Sequence, residues 1–367
     1  MVFDGSLPAT SVRCGPAFLA NAQPDGVRSM SKIVLDAVGG DHAPREVILG
    51  VKLALERGHA RASELILVGP EAEVRAAAVA GGLPAEIAIV DAPDVLEDTD
   101  TPIEAMRKKP RNSIAVGVGL LQQKVAGAFV SAGSTGTCVA AATMGLGCLE
   151  GIRRPAIGAI ISGERNPFLV LDVGANPQPK PLHLAQYAIM GSAYYRGTLG
   201  IDQPKVGLLN IGSEELKGTP LVKEARQLLK QLPIHFHGNV EGVELFTGDC
   251  HVIVSDGFTG NVMLKVSEGC AEYVLRAMLA AMKQVGVDRE KINGVLAQIM
   301  PRIDYSEYGG ALLLGVNGVV TICHGRSQAP AFCNAIRFAQ KAMTAKVNQH
   351  IVEAARALSN GSPDNAN

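Results

Sequence analysis

Short apolar runs rich in β-branched residues alternate with longer amphipathic segments near the start of the regular sequence. The runs at 32–37, 64–68 and 87–90 are too short for helices and are typical of buried strands. Segments 45–57 and 71–80 carry apolar residues at helical spacing. This alternation predicts an α/β fold, in which a mainly parallel sheet has helices on both faces.

The same alternation continues over the rest of the chain. Further strands are predicted at 127–130, 156–162, 168–172, 205–211, 252–254 and 319–323. Further helices are predicted at 114–124, 180–196, 221–232, 270–284, 289–300 and 329–358. Segment 91–113 is interpreted as an irregular, charged loop. The apolar stripe within 270–300 indicates a core or subunit-interface element, and a membrane-touching tip is the alternative.

Two of the predicted strands run into glycine loops that share the pattern S-x-G-x-T-G. The first loop is SAGSTGT at 131–137, the second is SDGFTGN at 255–261, and each precedes a helical pattern. A strand, loop and helix start in this order aim backbone N–H groups at one point, where the helix dipole adds positive charge. We therefore predict an anion site, for phosphate above all, and expect the two loops to converge on it. Plain tight turns are the alternative.

Polar residues and glycines at the carboxyl ends of predicted strands are the candidate binding residues, because ligands of open α/β sheets bind at those ends. They are Asp36, Gly39, Gly40, Asp41, Ser131, Gly133, Thr135, Gly136, Asp172, Gly174, Asn176, Asp256, Gly257, Thr259 and Gly260. We expect the aspartates among them to orient loops or cations rather than to attack a substrate.

Lys180 and His183 lie three residues apart at the predicted start of a helix, beside a strand's carboxyl end. This spacing pairs a phosphate-binding cation with a candidate proton acceptor. The alternatives are a surface lysine and a helix-start histidine that is bonded to the backbone.

Composition narrows the class of protein. The chain has 367 residues, 47% of them apolar and 19% charged, with a net charge of −1 and no Trp. These values indicate a globular protein and give no support to general nucleic-acid binding. None of the seven cysteines forms a C-x-x-C pair, which is typical of reduced, buried residues in a cytosolic protein. Residues 1–30 are expected to be a flexible extension, 31–358 the catalytic domain and 359–367 a disordered tail.

Nucleotide and metal motifs are incomplete. The loop at 212–220 lacks the P-loop order G-x-x-x-x-G-K-[ST], and the segment at 117–122 lacks the last glycine of G-x-G-x-x-G. His235 and His237 have no third metal ligand nearby in sequence.

Taken in order, the motifs resemble one family. They are LDAVGGDHAP, SAGSTGT, LDVGAN, KPLHLAQYAIMG, NIGSEELKG, SDGFTGNVMLKVSEG, YGGALLLGVNG and HGRS. Between about residues 32 and 356 the chain resembles the phosphate acyltransferases of bacterial phospholipid synthesis, the PlsX family. It departs from the family's pattern at Val38, Ser134 and Arg326.

The resemblance implies an enzyme that transfers a fatty acyl group from acyl carrier protein to inorganic phosphate. It implies a three-layer α/β/α fold similar to isocitrate and isopropylmalate dehydrogenases and phosphotransacetylases. It also implies a cytoplasmic homodimer that associates peripherally with the membrane. The acyl phosphate would pass to a glycerol-3-phosphate acyltransferase. No metal or nucleotide cofactor is expected.

For that reaction we expect Lys180 and the glycine loops to hold phosphate, and His183 to move a proton. Asn261 or nearby amides would stabilise the oxyanion. Acyl carrier protein is acidic, so a basic patch should receive it. The candidates for this patch are Lys108, Lys109, Arg111, Arg153 and Arg154. A helical protrusion at about 270–300 would make dimer and membrane contacts.

Two other classes of protein remain as alternatives. A decarboxylating dehydrogenase of similar fold would need a nucleotide loop and clustered metal-binding carboxylates, and neither is present in the sequence. A non-catalytic, membrane-associated scaffold is disfavoured by the intact loops.

Overall fold

The structure is a computed structural model that describes residues 31–97, 99–303 and 305–360. The predicted N-terminal extension lies outside the described residues, as do residues 361–367 of the predicted tail. The last described helix ends at Asn360, two residues into that predicted tail.

Eleven strands and eleven α-helices alternate along the described chain. The strands are β1 (Ile33–Asp36), β2 (Leu65–Gly69), β3 (Ala88–Asp91), β4 (Ala128–Ser131), β5 (Ala156–Ile161), β6 (Phe168–Leu171), β7 (Lys205–Asn210), β8 (His235–Glu241), β9 (Val252–Val254), β10 (Ala311–Leu314) and β11 (Val319–Ile322). The helices are α1 (Arg45–Glu56), α2 (Glu71–Ala80), α3 (Pro102–Lys108), α4 (Ser113–Gln122), α5 (Thr135–Leu146), α6 (Pro181–Leu199), α7 (Pro220–Gln231), α8 (Gly257–Gln284), α9 (Arg289–Ile303), α10 (Ala329–Thr344) and α11 (Val347–Asn360).

All the described strands belong to one sheet, in the order β3-β2-β1-β4-β11-β10-β5-β6-β9-β7-β8. The pairs within β3-β2-β1-β4-β11 are parallel, and so are those within β6-β9-β7-β8. Between these halves, three successive pairs are antiparallel: β11 with β10, β10 with β5, and β5 with β6. Three reversals leave the two parallel halves running in opposite directions.

Alternating side chains cover both faces of the sheet with helices. In β1, Val34 belongs to the apolar cluster that contains Ile114 of α4, whereas Leu35 belongs to the cluster that contains Val47 of α1. In β6, the side chain of Leu171 lies in the cluster of α6. The predicted three-layer α/β/α fold is therefore confirmed. Among the described helices, none combines the length and apolar character that crossing a bilayer requires.

Three local predictions were wrong. Segment 91–113 contains helix α3, whose start is a capping sequence: the Thr101 hydroxyl accepts from the Glu104 N–H at 3.4 Å, and Pro102 follows the cap. Helix α8 begins at Gly257, inside the second loop rather than after Asn261, and it continues without a break through the segment predicted as a helix from 270. The predicted C-terminal helix is broken into α10 and α11 at Lys346, whose φ of 51° ends regular helix geometry without a glycine as signal.

Candidate functional site

The first glycine loop closes around the buried carboxyl group of Asp36, at the end of β1. The Ser131 hydroxyl donates to Asp36 Oδ2 over 2.6 Å, and Ser131 Oγ accepts from the Gly133 N–H at 3.0 Å. Burial raises the pKa of Asp36, against the opposing effect of hydrogen bonds from Ser131 and Ser113. A Cβ at Gly39 would lie 2.3 Å from Asp36 Oδ2, so only glycine fits there. The loop is therefore organised around an internal carboxyl group.

The turn after β1 packs against the turn after β11. Gly40 has a φ of +104°, a conformation that glycine adopts without strain. The Asp41 N–H donates to the Gly325 carbonyl oxygen at 2.9 Å. The next residue, Arg326, forms an ion pair of 3.7 Å with Glu272 of α8. The cation of this turn, Arg326, is therefore already paired with a carboxylate.

Helix α5 starts at the end of the first loop with backbone donors still open. Its cap is Ser134, whose Oγ accepts from the Thr137 N–H at the long distance of 3.4 Å. The N–H groups of Thr135 and Gly136 have no acceptor within the described residues. These two groups retain the anion-binding capacity of a helix N-terminus.

Asp172 is fully buried and organises the turn that follows β6. Its Oδ1 accepts from the N–H groups of Ile157, Gly174 and Ala175, each at 3.0 Å. Its Oδ2 accepts from the backbone and side-chain nitrogens of Asn176, at 2.7 and 3.1 Å. Burial raises the pKa of Asp172, and these hydrogen bonds act against that rise. The carboxyl group orients its loop, as the sequence predicted.

The start of α8 has no open backbone donor, unlike the start of α5. Asp256 Oδ1 accepts from the Phe258 and Thr259 N–H groups at 3.0 and 2.8 Å, and Oδ2 accepts from the Thr259 hydroxyl at 2.7 Å. The Gly257 N–H donates to the Asn176 carbonyl oxygen at 2.9 Å. An anion at this helix start would therefore have to be bound by side chains.

Gly260 and Asn261 place the first turn of α8 against the Asp172 turn. The Gly260 N–H donates to the Asp256 carbonyl oxygen at 2.9 Å, and a Cβ at Gly260 would lie 2.0 Å from the Asp172 carbonyl oxygen. Asn261 lies beside Gly174, where a Cβ would be 3.8 Å from Asn261 Cγ. The Asn261 amide has no hydrogen-bond partner among the described residues, so it is a polar group open to a ligand.

Lys180 and His183 lie at the start of α6, next to the Asp172 turn. The Lys180 N–H donates to His183 Nδ1 at 3.0 Å, so the neutral imidazole carries its proton on Nε2. Burial lowers the pKa of His183, and the charges of Arg154, Lys180 and Arg153 lower it further. His183 is therefore a neutral hydrogen-bond donor at Nε2. Its Nδ1 is bonded to the backbone, which was the alternative interpretation of this histidine in the sequence analysis.

Gln186 is a site residue that sequence reasoning missed. It is buried on α6, one turn after His183, and its side chain joins α6 to the turn at 151–155. Its Oε1 accepts from the Arg153 N–H at 3.1 Å, and its Nε2 donates to the Gly151 carbonyl oxygen at 2.7 Å. The only sequence signal was a polar residue on an apolar helix face, which does not reveal its partner.

The two glycine loops lie at opposite edges of the sheet, because β4 and β9 belong to halves that run in opposite directions. Helix α8 begins in the second loop. Its residue Glu272, fifteen residues after the helix start, forms the ion pair with Arg326 beside the first loop. Fifteen helical residues span about 22 Å. The prediction that both loops converge on one oxyanion is therefore wrong for this chain, because hydrogen-bond donors must lie within about 3 Å of the anion.

Three of the five candidate carrier-binding cations already have acidic partners. The pairs are Lys108 with Glu104 at 2.8 Å, Lys109 with Asp100 at 2.6 Å and Arg111 with Asp91 at 2.9 Å. Arg153 and Arg154 are exposed and form no ion pair within the described chain. The structure therefore favours Arg153 and Arg154 over the other three as free cations.

Metal and thiol chemistry have little support in the described residues. They contain no group of three or more His, Cys, Asp or Glu side chains that could hold a metal ion. Burial raises the pKa of Cys138 to about 12 and that of Cys250 to about 11. Both side chains are therefore thiols at neutral pH, which disfavours a catalytic cysteine at these positions.

The strand order and strand-end loops define an α/β protein with the phosphotransacetylase fold. A phosphotransacetylase from Streptococcus pyogenes aligns with a TM-score of 0.58 and 19% identity, over 86% of this chain and 96% of that one. This likeness shows the fold alone.

Sequence similarity shows the family. The family model described as "Fatty acid synthesis protein" matches residues 31–350. The phosphate acyltransferase of Desulforamulus reducens is 44% identical over 318 residues, 85% of this chain and 93% of the relative. That of Pelotomaculum thermopropionicum is 44% identical over 328 residues, 87% of this chain and 94% of the relative. The chain belongs to the phosphate acyltransferase (PlsX) family, as its motifs predicted.

Proposed function

We propose that this protein transfers a fatty acyl group from acyl carrier protein to inorganic phosphate, giving acyl phosphate for phospholipid synthesis. The observation that carries the proposal is the placement of Lys180, His183 and Asn261 on loops and helix starts at the carboxyl ends of β6 and β9. It combines a cation without an ion-pair partner in the described chain, a neutral imidazole donor and an open amide. Membership of the family supports the same reaction.

In this reaction Lys180 holds the phosphate and offsets its negative charge. A phosphate oxygen attacks the thioester carbonyl carbon, forming a C–O bond and moving the carbonyl electron pair onto oxygen. The Asn261 amide donates to that oxyanion. Collapse of the intermediate breaks the C–S bond, and the electron pair leaves with the carrier thiolate. Acyl phosphate and free carrier protein are the products.

His183 acts in this mechanism as a donor rather than as a base. Its Nδ1 already accepts a backbone N–H, so only the Nε2 proton is available to a substrate. Phosphate dianion needs no base to attack. The Nε2–H would instead donate to a phosphate oxygen or to the departing sulfur, without a change in the charge of the ring.

Replacing Lys180 tests the proposed phosphate site. We expect Lys180→Ala to lower kcat/KM for phosphate by roughly 100-fold, because a charge that stabilises the attacking anion is lost. Acyl phosphate formed from acyl carrier protein and phosphate is the measurement. Lys52→Ala, an exposed lysine of α1, is the matched control and should retain wild-type rates. Full activity in Lys180→Ala would contradict the placement of this cation.

Carrier protein is proposed to dock at the turn that contains Arg153. Because Lys109 is paired with Asp100 and Arg153 has no pair in the described chain, we expect Arg153→Glu to raise the KM for acyl carrier protein about tenfold. Lys109→Glu should have a smaller effect, and neither change should alter phosphate saturation. A larger effect of Lys109→Glu would move the docking surface to α3.

We further propose that the protein is a cytoplasmic homodimer with peripheral membrane contact, passing acyl phosphate to a glycerol-3-phosphate acyltransferase. Helix α8 supports a role in assembly: of its 28 residues only Gly257 and Gly260 are buried. Val266 and Tyr273 are more than 60% exposed on it. The stripe Leu275, Met278, Leu279 and Met282 is half-buried.

A further inference from the structure

The turn at 151–155 is held on two sides by residues of the candidate site. On one side Gln186 binds both the Gly151 carbonyl oxygen and the Arg153 N–H. On the other, Asn176 Nδ2 donates to the Pro155 carbonyl oxygen at 2.7 Å. Arg154 lies between these attachments. A turn fixed at both ends restricts where its arginine side chains begin, which lowers the entropic cost of ordering them on a ligand.

The cations of this region have no acidic ion-pair partner in the described residues. Of the charged groups around His183, Arg154 has the largest effect on the imidazole, ahead of Lys180. The nearby carboxyl groups of Asp172 and Asp256 accept hydrogen bonds from backbone N–H groups of their own turns. Like charges gathered in this way repel one another, and a bound anion would relieve the repulsion.

A second feature of this place is an unsatisfied polar group. The hydroxyl group of Tyr187, on α6 next to Gln186, is buried and has no hydrogen-bond partner among the described residues. Burial raises its pKa, and the charges of Asp172, Arg154 and Asp256 also act on it. The hydroxyl therefore lies among the same loops and cations, and it is a donor still without an acceptor.

Backbone donors cannot hold an anion here. The N–H groups of residues 173–176 and 257–260 all donate to acceptors within the protein. The charge on a phosphate dianion therefore has to be balanced by side chains, and Lys180 alone supplies one positive charge. A guanidinium group adds a second charge and can bind two phosphate oxygens at once.

We propose that Arg154 binds the phosphate together with Lys180, and that Gln186 is the positioning residue that holds the Arg153–Arg154 turn for this task. The inference rests on the proposed function, which identifies the anion as the phosphate substrate. Arg153, one residue away, serves the carrier protein instead. The ligand is inorganic phosphate rather than the phosphodiester of the carrier's prosthetic group.

Adjacent arginines provide a matched comparison. Arg154→Gln should raise the KM for phosphate at least about tenfold, the loss expected for charge-assisted hydrogen bonds, and leave the KM for acyl carrier protein unchanged. Arg153→Gln should leave the KM for phosphate unchanged. A rise in the carrier KM alone for Arg154→Gln would overturn the proposal, because the anion recognised would then belong to the carrier.

The role of Gln186 is tested by combining its substitution with that of Arg154. Gln186→Leu should raise the KM for phosphate in the wild-type background and add little in the Arg154→Gln background, since both changes remove the same contact. It should also raise the pKa of His183, measured by NMR, because the positive charge of Arg154 moves away. Additive effects on KM, or an unchanged His183 pKa, would show that Gln186 does not act through Arg154.

Two controls separate effects on phosphate binding from effects on stability and on turnover. Thr198→Val removes a buried hydrogen bond to the Tyr194 carbonyl oxygen on the same helix, and it should alter neither the phosphate KM nor the His183 pKa. Titrating inorganic phosphate while observing the His183 resonances measures binding without catalysis. Phosphate-dependent shifts that vanish in Arg154→Gln would support the site even if no acyl phosphate forms. Shifts that persist in Arg154→Gln would overturn it.

Discussion

The two S-x-G-x-T-G loops have the same residue spacing, yet their helices begin two positions apart. In the first loop Ser134 caps α5, which starts at Thr135. In the second loop Asp256 caps α8, which starts at Gly257 although Thr259 aligns with Thr135. The shift decides which backbone donors remain open at the helix start: those of Thr135 and Gly136 in α5, and none at residues 257–260 of α8.

Unpaired cations are distributed in the opposite way to the open backbone donors. The second loop adjoins Lys180 and the Arg153–Arg154 turn, which have no acidic ion-pair partner within the described chain, whereas Arg326 beside the first loop is paired with Glu272. Open amides and free cations are alternative ways to hold an anion, and the described residues offer one at each edge of the sheet. A shared sequence pattern therefore does not imply a shared binding mode.

The aligned glycines Gly136 and Gly260 provide the largest expected contrast. A Cβ at Gly260 would lie 2.0 Å from the Asp172 carbonyl oxygen, whereas at Gly136 it would lie 3.0 Å from Pro102 Cγ. We expect Gly260→Ala to destabilise the fold by about 3 kcal/mol or more, because backbone must move. Gly136→Ala should stay within about 1 kcal/mol of wild type. Urea unfolding measures both, and equal losses would contradict the difference between the loops.

Substitutions at the two helix caps should differ less in their effect on stability than substitutions at the two glycines. Asp256 accepts from two N–H groups at 2.8 and 3.0 Å, whereas Ser134 accepts from one at 3.4 Å. We expect Asp256→Ala to cost about 1–2 kcal/mol of unfolding free energy and Ser134→Ala about 0.5 kcal/mol. Thermal and urea unfolding are the measurements. Asp256→Asn, which keeps a capping oxygen, is the control and should recover most of the loss; a greater cost at Ser134 would reverse the ranking of the caps.

Local sequence was enough to predict most of the fold, because strand and helix periodicities are local properties. It predicted β1, α2 and a mainly parallel sheet, but not the reversals at β10 and β5, since strand direction depends on pairing partners far along the chain. The break at Lys346 was missed because a positive φ at lysine leaves no mark in the sequence.

The sequence predicted candidate site residues one by one but not how they are arranged. The loop-organising role of Asp172 followed from its place at a strand end, and His183 from its helix start. The separation of the loops depends on the three strand reversals, so no motif could reveal it. Gln186 bonds to two residues of the 151–155 turn, 33 and 35 residues away along the chain, and spacing arguments do not detect such long-range hydrogen bonds.

The smallest expected effect is the pH dependence of stability, which should have opposite signs for His183, near the second loop, and for Asp36, beside the first. Burial first, and then the charges of Arg154, Lys180 and Arg153, lower the pKa of His183 in the folded state below its unfolded value of about 6.5. Its contribution to stability is therefore fully present above about pH 6.5 and is lost as pH falls through the folded pKa. Burial raises the folded pKa of Asp36, so its contribution is present below about pH 3.8 and is lost as pH rises.

Unfolding free energies measured across pH would resolve these slopes. Relative to His183→Gln, the wild type should lose stability as pH falls below about 6.5, by a small amount because solvent screens a partly exposed ring. Relative to Asp36→Asn, the wild type should lose stability as pH rises from about 3.8. Constant offsets from lost hydrogen bonds do not affect either slope. A flat difference between wild type and His183→Gln would mean that neither burial nor the cations lower the pKa of this imidazole in the folded state, and the contrast between the loops would then rest on backbone donors alone.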